Sequence, residues 1–214
     1  MIVSIYDYIN PIKVGVVITL LFAVYSLSFK KRLHRYLLLL LIVCFSTELV
    51  NSILIYYEIS TGITTSISMV FHHLLWFYIL QDNISRKNEL KIGMDLFVFF
   101  SIMNFIFIET TTSYNYYTFI LGAFIYVVFF IHESFHQLEK ENLPFFISNN
   151  FILTSAPLLF FFGMSLLFGF KNKTITSTIV FNSMTLYNFI INLVCLVYYT
   201  LLNIYIYREK TIKK

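Results

Sequence analysis

Charged residues are scarce in this chain of 214 residues, at 12% of the sequence, against roughly 25% in an ordinary soluble domain. Glycine (6) and proline (3) are also few, which excludes a disordered linker. Hydrophobic residues make up 58%, aromatic residues 20%, and the mean hydropathy is +0.78. A soluble protein of this size has too little interior to bury that much apolar surface. We therefore exclude a soluble enzyme and a nucleic-acid-binding domain, and we expect lipid to be the solvent.

Cysteine is rare as well, and the two cysteines, Cys44 and Cys195, both lie in apolar runs. This placement is typical of small buried hydrophobic residues and not of a disulfide framework or a metal site. The net charge is only +4, so we expect no nucleic-acid partner. The first ten residues carry no basic group, which predicts a retained first span instead of a cleaved signal peptide.

Long apolar runs define the architecture, because a membrane-spanning helix needs about 20 mostly apolar residues. The runs do not alternate as strands of a β-barrel would. They predict an all-α polytopic membrane protein with one domain over 1–214. We expect seven transmembrane helices, at about 11–29, 36–57, 64–81, 92–108, 116–138, 151–170 and 179–207.

Lysine and arginine divide unequally between the two sides of this arrangement. Lys13, Lys171 and Lys173 fall on one side, and the twelve other basic residues fall on the opposite side. The positive-inside rule then places the N-terminus outside and the C-terminus in the cytoplasm. We also expect Lys30, Lys31, Arg32 and Arg35 of the first loop to contact anionic lipid.

Polar residues inside the spans are the candidates for function, since a charge near the bilayer centre costs on the order of 3 kcal/mol. Glu48 lies in the second span, roughly 18 Å from its inner end, and Asn51 shares its face. His72 and His73 in the third span fall at a comparable depth. These four residues predict a ligand-binding or proton-sensing cluster, with interhelical hydrogen bonds that fix packing as the alternative.

Further polar and aromatic residues occur at helical spacing near this cluster. Trp76 follows His72 by one turn in an aromatic segment, which predicts either a pocket wall or a packing seam. Asn104 in the fourth span and Tyr187 and Asn188 in the seventh either close the same pocket or hold helices together.

The segment His132-Glu133-Ser134-Phe135-His136 matches H-E-x-x-H, in which two histidines on one helix face hold zinc and the glutamate activates water. Catalytic zinc needs a third protein ligand, and His73 or Glu48 is a candidate for it. The alternative is an interfacial helix end where imidazoles sit at headgroup level. We expect no zinc and no other cofactor.

Two resemblances follow from these motifs. The pairs Ser68/His72 and His132/His136 resemble the Ser-x-x-x-His and His-x-x-x-His pairs of the seven-helix zinc hydrolases that include ceramidases, although there the second pair lies in the last helix. Taken whole, the chain resembles small, uncharacterised seven-helix bacterial inner-membrane proteins, which are similar to the membrane sensor portions of some histidine kinases. The residues that carry this resemblance are the basic first loop, STELVNS, NLPFF and LFGF.

The leading hypothesis is an inner-membrane receptor or signalling module. It would bind a small or lipidic ligand between the second, third, fourth and seventh spans, and act through a membrane or cytoplasmic partner. The alternatives are a zinc-dependent intramembrane hydrolase that uses His132, Glu133 and His136, and a structural subunit of a larger membrane complex. The oligomeric state does not follow from the sequence.

Overall fold

A computed structural model describes residues 11–109, 114–169, 177–181 and 184–212. It is almost entirely helical. The helices are α1 Pro11–Ser26, α2 Arg32–Tyr56, α3 Gly62–Gln81, α4 Lys87–Met103, which continues as a π-helix over Asn104–Ile108, α5 Tyr116–Glu139, α6 Leu143–Ile147, α7 Asn149–Gly169 and α8 Leu186–Ile212. Two short strands, β1 Ile179–Phe181 and β2 Met184–Thr185, pair antiparallel before α8.

Six of these helices, α2, α3, α4 with its π-helical end, α5, α7 and α8, are long and apolar enough to cross a membrane. The helix α1 is apolar but shorter, with 16 residues, or roughly 24 Å at 1.5 Å per residue. The prediction of an all-α protein is confirmed, and the described residues contain six candidate membrane spans, which suggest a multi-pass membrane protein, where seven were predicted.

Several predicted boundaries were wrong. The second span begins at Arg32 instead of residue 36, so two arginines of the expected loop lie on the helix. The last helix begins at Leu186 instead of residue 179, because Ile179–Phe181 and Met184–Thr185 form the two paired strands. The first helix ends at Ser26 instead of residue 29. The short helix α6 was not predicted, and residue 170 of the sixth predicted span lies outside the described residues.

The long helices form a closed ring in the order α1, α2, α3, α4, α5, α7, α8. Each packs against its neighbours in this order, and α8 packs back against α1. The helix α3 also contacts α5 and α7, which places it towards the middle of the bundle. Its central position explains why His73, Trp76 and Phe77 are fully buried although the outer faces of most helices expose leucine, isoleucine and phenylalanine.

Side-chain contacts show which helix ends lie together. Lys31 before α2 reaches Glu209 near the end of α8, Arg32 approaches Asp82 after α3, and Ser85 before α4 binds Glu133 late in α5. We call this the basic end, since the first loop and the charged end of α8 meet there. At the other end, Lys13 of α1 binds Ser52 of α2, and the backbone of Asn115 binds Ser66 of α3.

Candidate functional site

A central cavity of about 380 Å³ lies between six helices, nearer to the end opposite the basic end. On α3 its lining runs from Gly62 to His72, roughly 15 Å along the helix axis. The lining is polar on α2 and α3 and mostly aromatic or apolar elsewhere. It comprises Ile12 and Val16 of α1; Cys44, Thr47 and Glu48 of α2; Thr61 before α3 and Gly62, Thr65, Ser68, Met69 and His72 of α3; Tyr114 before α5 and Tyr116 and Phe119 of α5; Phe160, Met164 and Phe168 of α7; and Tyr187, Ile191, Cys195, Tyr198 and Tyr199 of α8.

Glu48 is the acidic residue in this lining. It lies 16 residues after the start of α2, or roughly 24 Å along the axis, and is therefore nearer to the end of α2 that is opposite the basic end. Among the described residues, none donates a hydrogen bond to its carboxylate. Lys13 lies close enough for an electrostatic interaction with Glu48, but its Nζ donates to Oγ of Ser52 at 2.9 Å. Ser52 in turn donates to the backbone carbonyl of Glu48.

Thr47 and Ser68 share a short hydrogen bond across α2 and α3, directly beside Glu48. Burial raises the pKa of Tyr114 well above its usual value, so this phenol stays neutral at ordinary pH. Among the described lining residues, Glu48 is the one carboxylic acid. The cavity combines one carboxylate, several hydroxyl groups and aromatic faces, which is the composition of a small-molecule site with a few placed polar groups.

His72 lies deep in the cavity and takes part in a buried polar chain. Trp76 donates from Nε1 to Oη of Tyr198 at 3.2 Å, and the same Oη lies 3.3 Å from Nε2 of His72. Because Oη accepts from Trp76, its own proton is available to Nε2 of His72. Ser68, His72 and Trp76 follow one another at a spacing of four on α3. Ser68 and His72 line the cavity, whereas Trp76 is buried behind the lining and binds Tyr198 of α8.

His73, the neighbouring histidine, has a different environment. Its Nδ1 is 2.9 Å from the backbone carbonyl of Met69, and its ring stacks on Phe161 with centroids 4.7 Å apart. Phe119 contacts it edge-on, and Gly122 of α5 lies against the ring. His73 is fully buried and does not line the cavity, so the predicted His72/His73 pair divides into one cavity residue and one packing residue.

Of the other predicted site residues, one lines the cavity and the rest lie outside its lining. Asn51 lies outside the lining and donates to Thr65 of α3 at 3.2 Å. Tyr187 lines the cavity, whereas Asn188 is exposed and its backbone N–H binds Thr185. Asn104 is fully buried at the start of the π-helix and donates to Glu109 and Thr118, at 2.7 and 2.8 Å.

The cavity is therefore bounded by different helices from those predicted. The fourth predicted span contributes nothing to the lining, and the first, fifth and sixth predicted spans contribute instead. The spans predicted to bound the cavity were those with polar residues, and the sequence does not indicate which apolar helix faces pack together. The run of aromatic residues in α5 and α7 was the signal that could have indicated a wall.

Glu133 of the H-E-x-x-H segment is hydrogen-bonded to neighbouring residues of the protein. Its carboxylate accepts three hydrogen bonds, from N–H and Oγ of Ser85 at 2.8 and 2.7 Å and from Nε2 of Gln137 at 2.6 Å. His132 and His136 are half-buried at the basic end of α5. The described parts of the chain contain no group of three or more histidine, cysteine, aspartate or glutamate side chains able to hold a metal ion. His73, in its aromatic surroundings, is not brought to them.

A cluster at the basic end was missed by sequence analysis. Glu209 of α8 accepts from Nζ of Lys31 at 2.8 Å, from Nε2 of His34 at 2.9 Å and from Nδ2 of Asn149 at 2.8 Å. The backbone N–H of Ser28 donates to Nδ1 of His34, so the proton of a neutral His34 lies on Nε2, towards Glu209. Glu209 and His34 are nearly inaccessible, at 7% and 1% exposure. No sequence pattern indicates that a glutamate in the charged C-terminal segment is buried.

The four basic residues predicted to contact lipid fall into two pairs. Lys31 is bonded to Glu209, and Arg32 donates to Tyr36 Oη at 2.9 Å and lies 3.7 Å from Asp82. Lys30 and Arg35 are exposed, and neither side chain is hydrogen-bonded within the described residues. Lipid contact by this loop thus stays a prediction, and the geometry favours Lys30 and Arg35 for it.

No family model matches the chain, and no curated protein or solved structure matches it. The function is therefore argued from the geometry above.

Proposed function

We propose that this protein is a seven-span receptor of the bacterial inner membrane, which binds a small or lipidic ligand in the central cavity and acts through a partner. The observation that carries the proposal is Glu48, a carboxylate that lines the cavity without a hydrogen-bond donor among the described residues. A packing residue at this depth would be expected to have its donors supplied by the protein, because an unsatisfied polar group in lipid costs several kcal/mol.

The seventh span of this proposal is α1. It occupies a full place in the ring between α2 and α8, and Lys13 at its start lies at the opposite end from Lys31. The basic end then lies in the cytoplasm by the positive-inside rule, which puts the N-terminus outside. Reporter fusions test this: fusions at Gly62 and Tyr114 should be external and those at Asn88 and Glu139 cytoplasmic. A cytoplasmic reporter at Tyr114 would contradict the topology.

The helix α8 is the route by which occupancy of the cavity would reach the cytoplasm. Tyr198 and Tyr199 line the cavity, and Glu209 lies ten residues beyond Tyr199, roughly 15 Å further along the same helix. There Glu209 ties α8 to the first loop and to α7. A shift of α8 would thus be transmitted to the surface that carries most of the basic residues.

A membrane partner is supported by Asp95 on the outer face of α4. It lies eight residues after Lys87, roughly 12 Å along the helix, between the exposed side chains of Ile92, Leu96 and Phe99. Within the described residues it has no hydrogen-bond or ion-pair partner. An ionisable group on a lipid-facing surface is costly, so we assign this face to a partner helix that bears a basic residue.

Bound small molecules provide the test of the receptor proposal. Protein purified in mild detergent without a delipidating wash should retain a non-protein component, visible by native mass spectrometry. Glu48→Gln should reduce that component at least tenfold. Glu58→Gln is the matched control, because Glu58 lies on an exposed turn. Equal retention by both variants would overturn the proposal.

A structural membrane subunit is the second candidate, and Asp95 is the observation that favours it. If Asp95→Asn abolishes copurification of a membrane partner while Glu48→Gln leaves bound molecules unchanged, the structural-subunit hypothesis replaces the receptor hypothesis. The zinc hydrolase has no comparable support, since Glu133 is fully engaged by Ser85 and Gln137.

A further inference from the structure

A second cavity of about 610 Å³ lies beside the first, between α1 and α8. Its lining is largely apolar and includes Ile18, Phe189, Leu193 and Leu196. Ile18 and Leu196 are 56% and 66% exposed, so this cavity is a groove that opens on the outer surface of the bundle. In a membrane-spanning bundle that surface faces lipid tails. We call it the lateral groove.

The lateral groove and the central cavity share three lining residues, Ile12, Cys195 and Tyr199. Among the described residues, these three side chains therefore lie where the two spaces adjoin. Tyr199 is seated against Gly15 of α1, where a Cβ atom would come within 2.8 Å of the ring. The absence of a side chain at Gly15 thus makes room for the ring at the boundary, and rotation of Tyr199 would connect the spaces.

The chemistry changes along this path from apolar to anionic. The lateral groove offers side chains suited to a hydrocarbon chain. The central cavity offers the carboxylate of Glu48 together with the rings of Tyr116, Phe160 and Tyr198. A cavity lined by both a carboxylate and aromatic rings has the groups that recognise an organic ammonium ion, through charge and through the negative face of each ring. Lys13 lies within electrostatic reach of Glu48, but its Nζ donates to Ser52, and no described residue donates a hydrogen bond to the carboxylate.

We infer that the ligand is a cationic amphiphile that reaches the site from the bilayer, with its ammonium head beside Glu48 and its alkyl chain in the lateral groove. This inference rests on the proposed function and specifies its ligand. It predicts that head and chain contribute together, so a short amine or a long-chain anion binds poorly.

The native cysteines provide the measurement, because Cys195 lines both spaces and Cys44 lines the central cavity. In Cys44→Ser protein in a non-ionic detergent, N-ethylmaleimide modifies only Cys195. Dodecylamine should slow that modification saturably and at least tenfold. Butylamine and dodecanoate at the same concentration should slow it less than twofold. Equal protection by dodecanoate would overturn the inference.

Two pairs of variants locate the head and the chain. Glu48→Gln should weaken protection by dodecylamine at least tenfold, whereas Glu58→Gln should leave it unchanged. Leu196→Phe, which adds bulk to the groove, should weaken it severalfold, whereas Leu96→Phe, a lipid-facing position on α4 of similar exposure, should not. Protection that is insensitive to both Glu48→Gln and Leu196→Phe would contradict the assignment.

A further measurement keeps Glu48 unaltered, so its outcome does not depend on whether a Glu48 variant folds correctly. A small cationic methanethiosulfonate reagent should modify Cys44 in Cys195→Ser protein at least fivefold faster than an anionic reagent of the same size. An equal or reversed ratio would overturn the inference. If a native component is retained through Glu48 but dodecylamine gives no protection, the receptor proposal stands and the amphiphile assignment fails. If neither effect occurs, both fail.

Discussion

The acidic residues at the basic end and the one in the central cavity have opposite environments. Glu209 and Glu133 are 7% and 4% exposed, and each accepts three hydrogen bonds from the protein. Glu48 is half-buried, and no described residue donates to its carboxylate. Satisfied acids hold helices together, whereas an unsatisfied acid in a cavity is available to a ligand. The comparison separates carboxylates that the protein supplies with hydrogen-bond donors from one that it does not, without any reference to sequence motifs.

The largest effect should follow from breaking the satisfied cluster. Glu209→Ala removes the shared acceptor of Lys31, His34 and Asn149, and we expect a loss of about 3 to 5 kcal/mol in unfolding free energy. Reversible unfolding in mixed micelles measures it. Glu89→Ala is the control: this exposed acid pairs only with Arg86, three residues away, and should cost less than about 1 kcal/mol. Similar losses in both variants would show that Glu209 has no special structural role.

Glu133 tests the same idea at the H-E-x-x-H segment. Glu133→Ala leaves the N–H of Ser85 without its acceptor just before α4, and we expect a loss of about 2 kcal/mol. His132→Ala should change stability by less than about 0.5 kcal/mol, because that side chain is only half-buried.

Elemental analysis of untagged protein purified without chelator extends this test. We expect well under one equivalent of zinc. A stoichiometric zinc signal that disappears in both His132→Ala and His136→Ala would instead make Glu133 a catalytic candidate.

Composition and apolar runs were sufficient to predict the helical membrane architecture, since lipid leaves few alternatives to a helix. The predicted and observed helix ends differ where hydropathy does not determine the residue at which a helix begins or ends. The strands Ile179–Phe181 and Met184–Thr185 fall within a predicted span but pair with each other, and Arg32 is helical although it is charged. Apolar length predicts that a segment enters the membrane, but the helix ends depend on local hydrogen bonds.

For the candidate site, depth could be predicted and direction could not. Glu48 and His72 were placed at compatible depths by helical rise, and they do line one cavity. His73 is one residue further and points into an aromatic cluster instead, because consecutive residues differ by about 100° around a helix. Glu209 was assigned to a solvated tail, since its partners come from distant parts of the chain.

The packing around His73 gives an intermediate effect. A Cβ atom at Gly122 would lie 2.4 Å from Cδ2 of His73 and 2.8 Å from Phe97, and both rings are held by their neighbours. Gly122→Ala should therefore destabilise the bundle by about 1 to 2 kcal/mol. In Gly169→Ala the new Cβ meets nothing within 4 Å, so no loss is expected. A neutral Gly122→Ala would mean that His73 is free to move and is not a packing residue.

The smallest effect concerns the polar chain below the cavity. Tyr198→Phe keeps the ring and removes the hydroxyl that accepts from Trp76 and lies beside His72. An interhelical hydrogen bond in a membrane bundle is worth about 0.6 kcal/mol on average, so stability should change little.

The fluorescence of Trp76, the single tryptophan, should nevertheless respond to Tyr198→Phe, because the indole N–H loses its acceptor and the emission maximum shifts to shorter wavelength. Tyr25→Phe is the matched control on an exposed ring, and it should leave the emission unchanged. An unshifted spectrum in Tyr198→Phe would place Trp76 away from Tyr198 and remove the link between the cavity and the buried tryptophan. With the link intact, we expect the same emission to change when a ligand occupies the cavity that Tyr198 and Glu48 line, which would test the contrast between Glu48 and the carboxylates at the basic end.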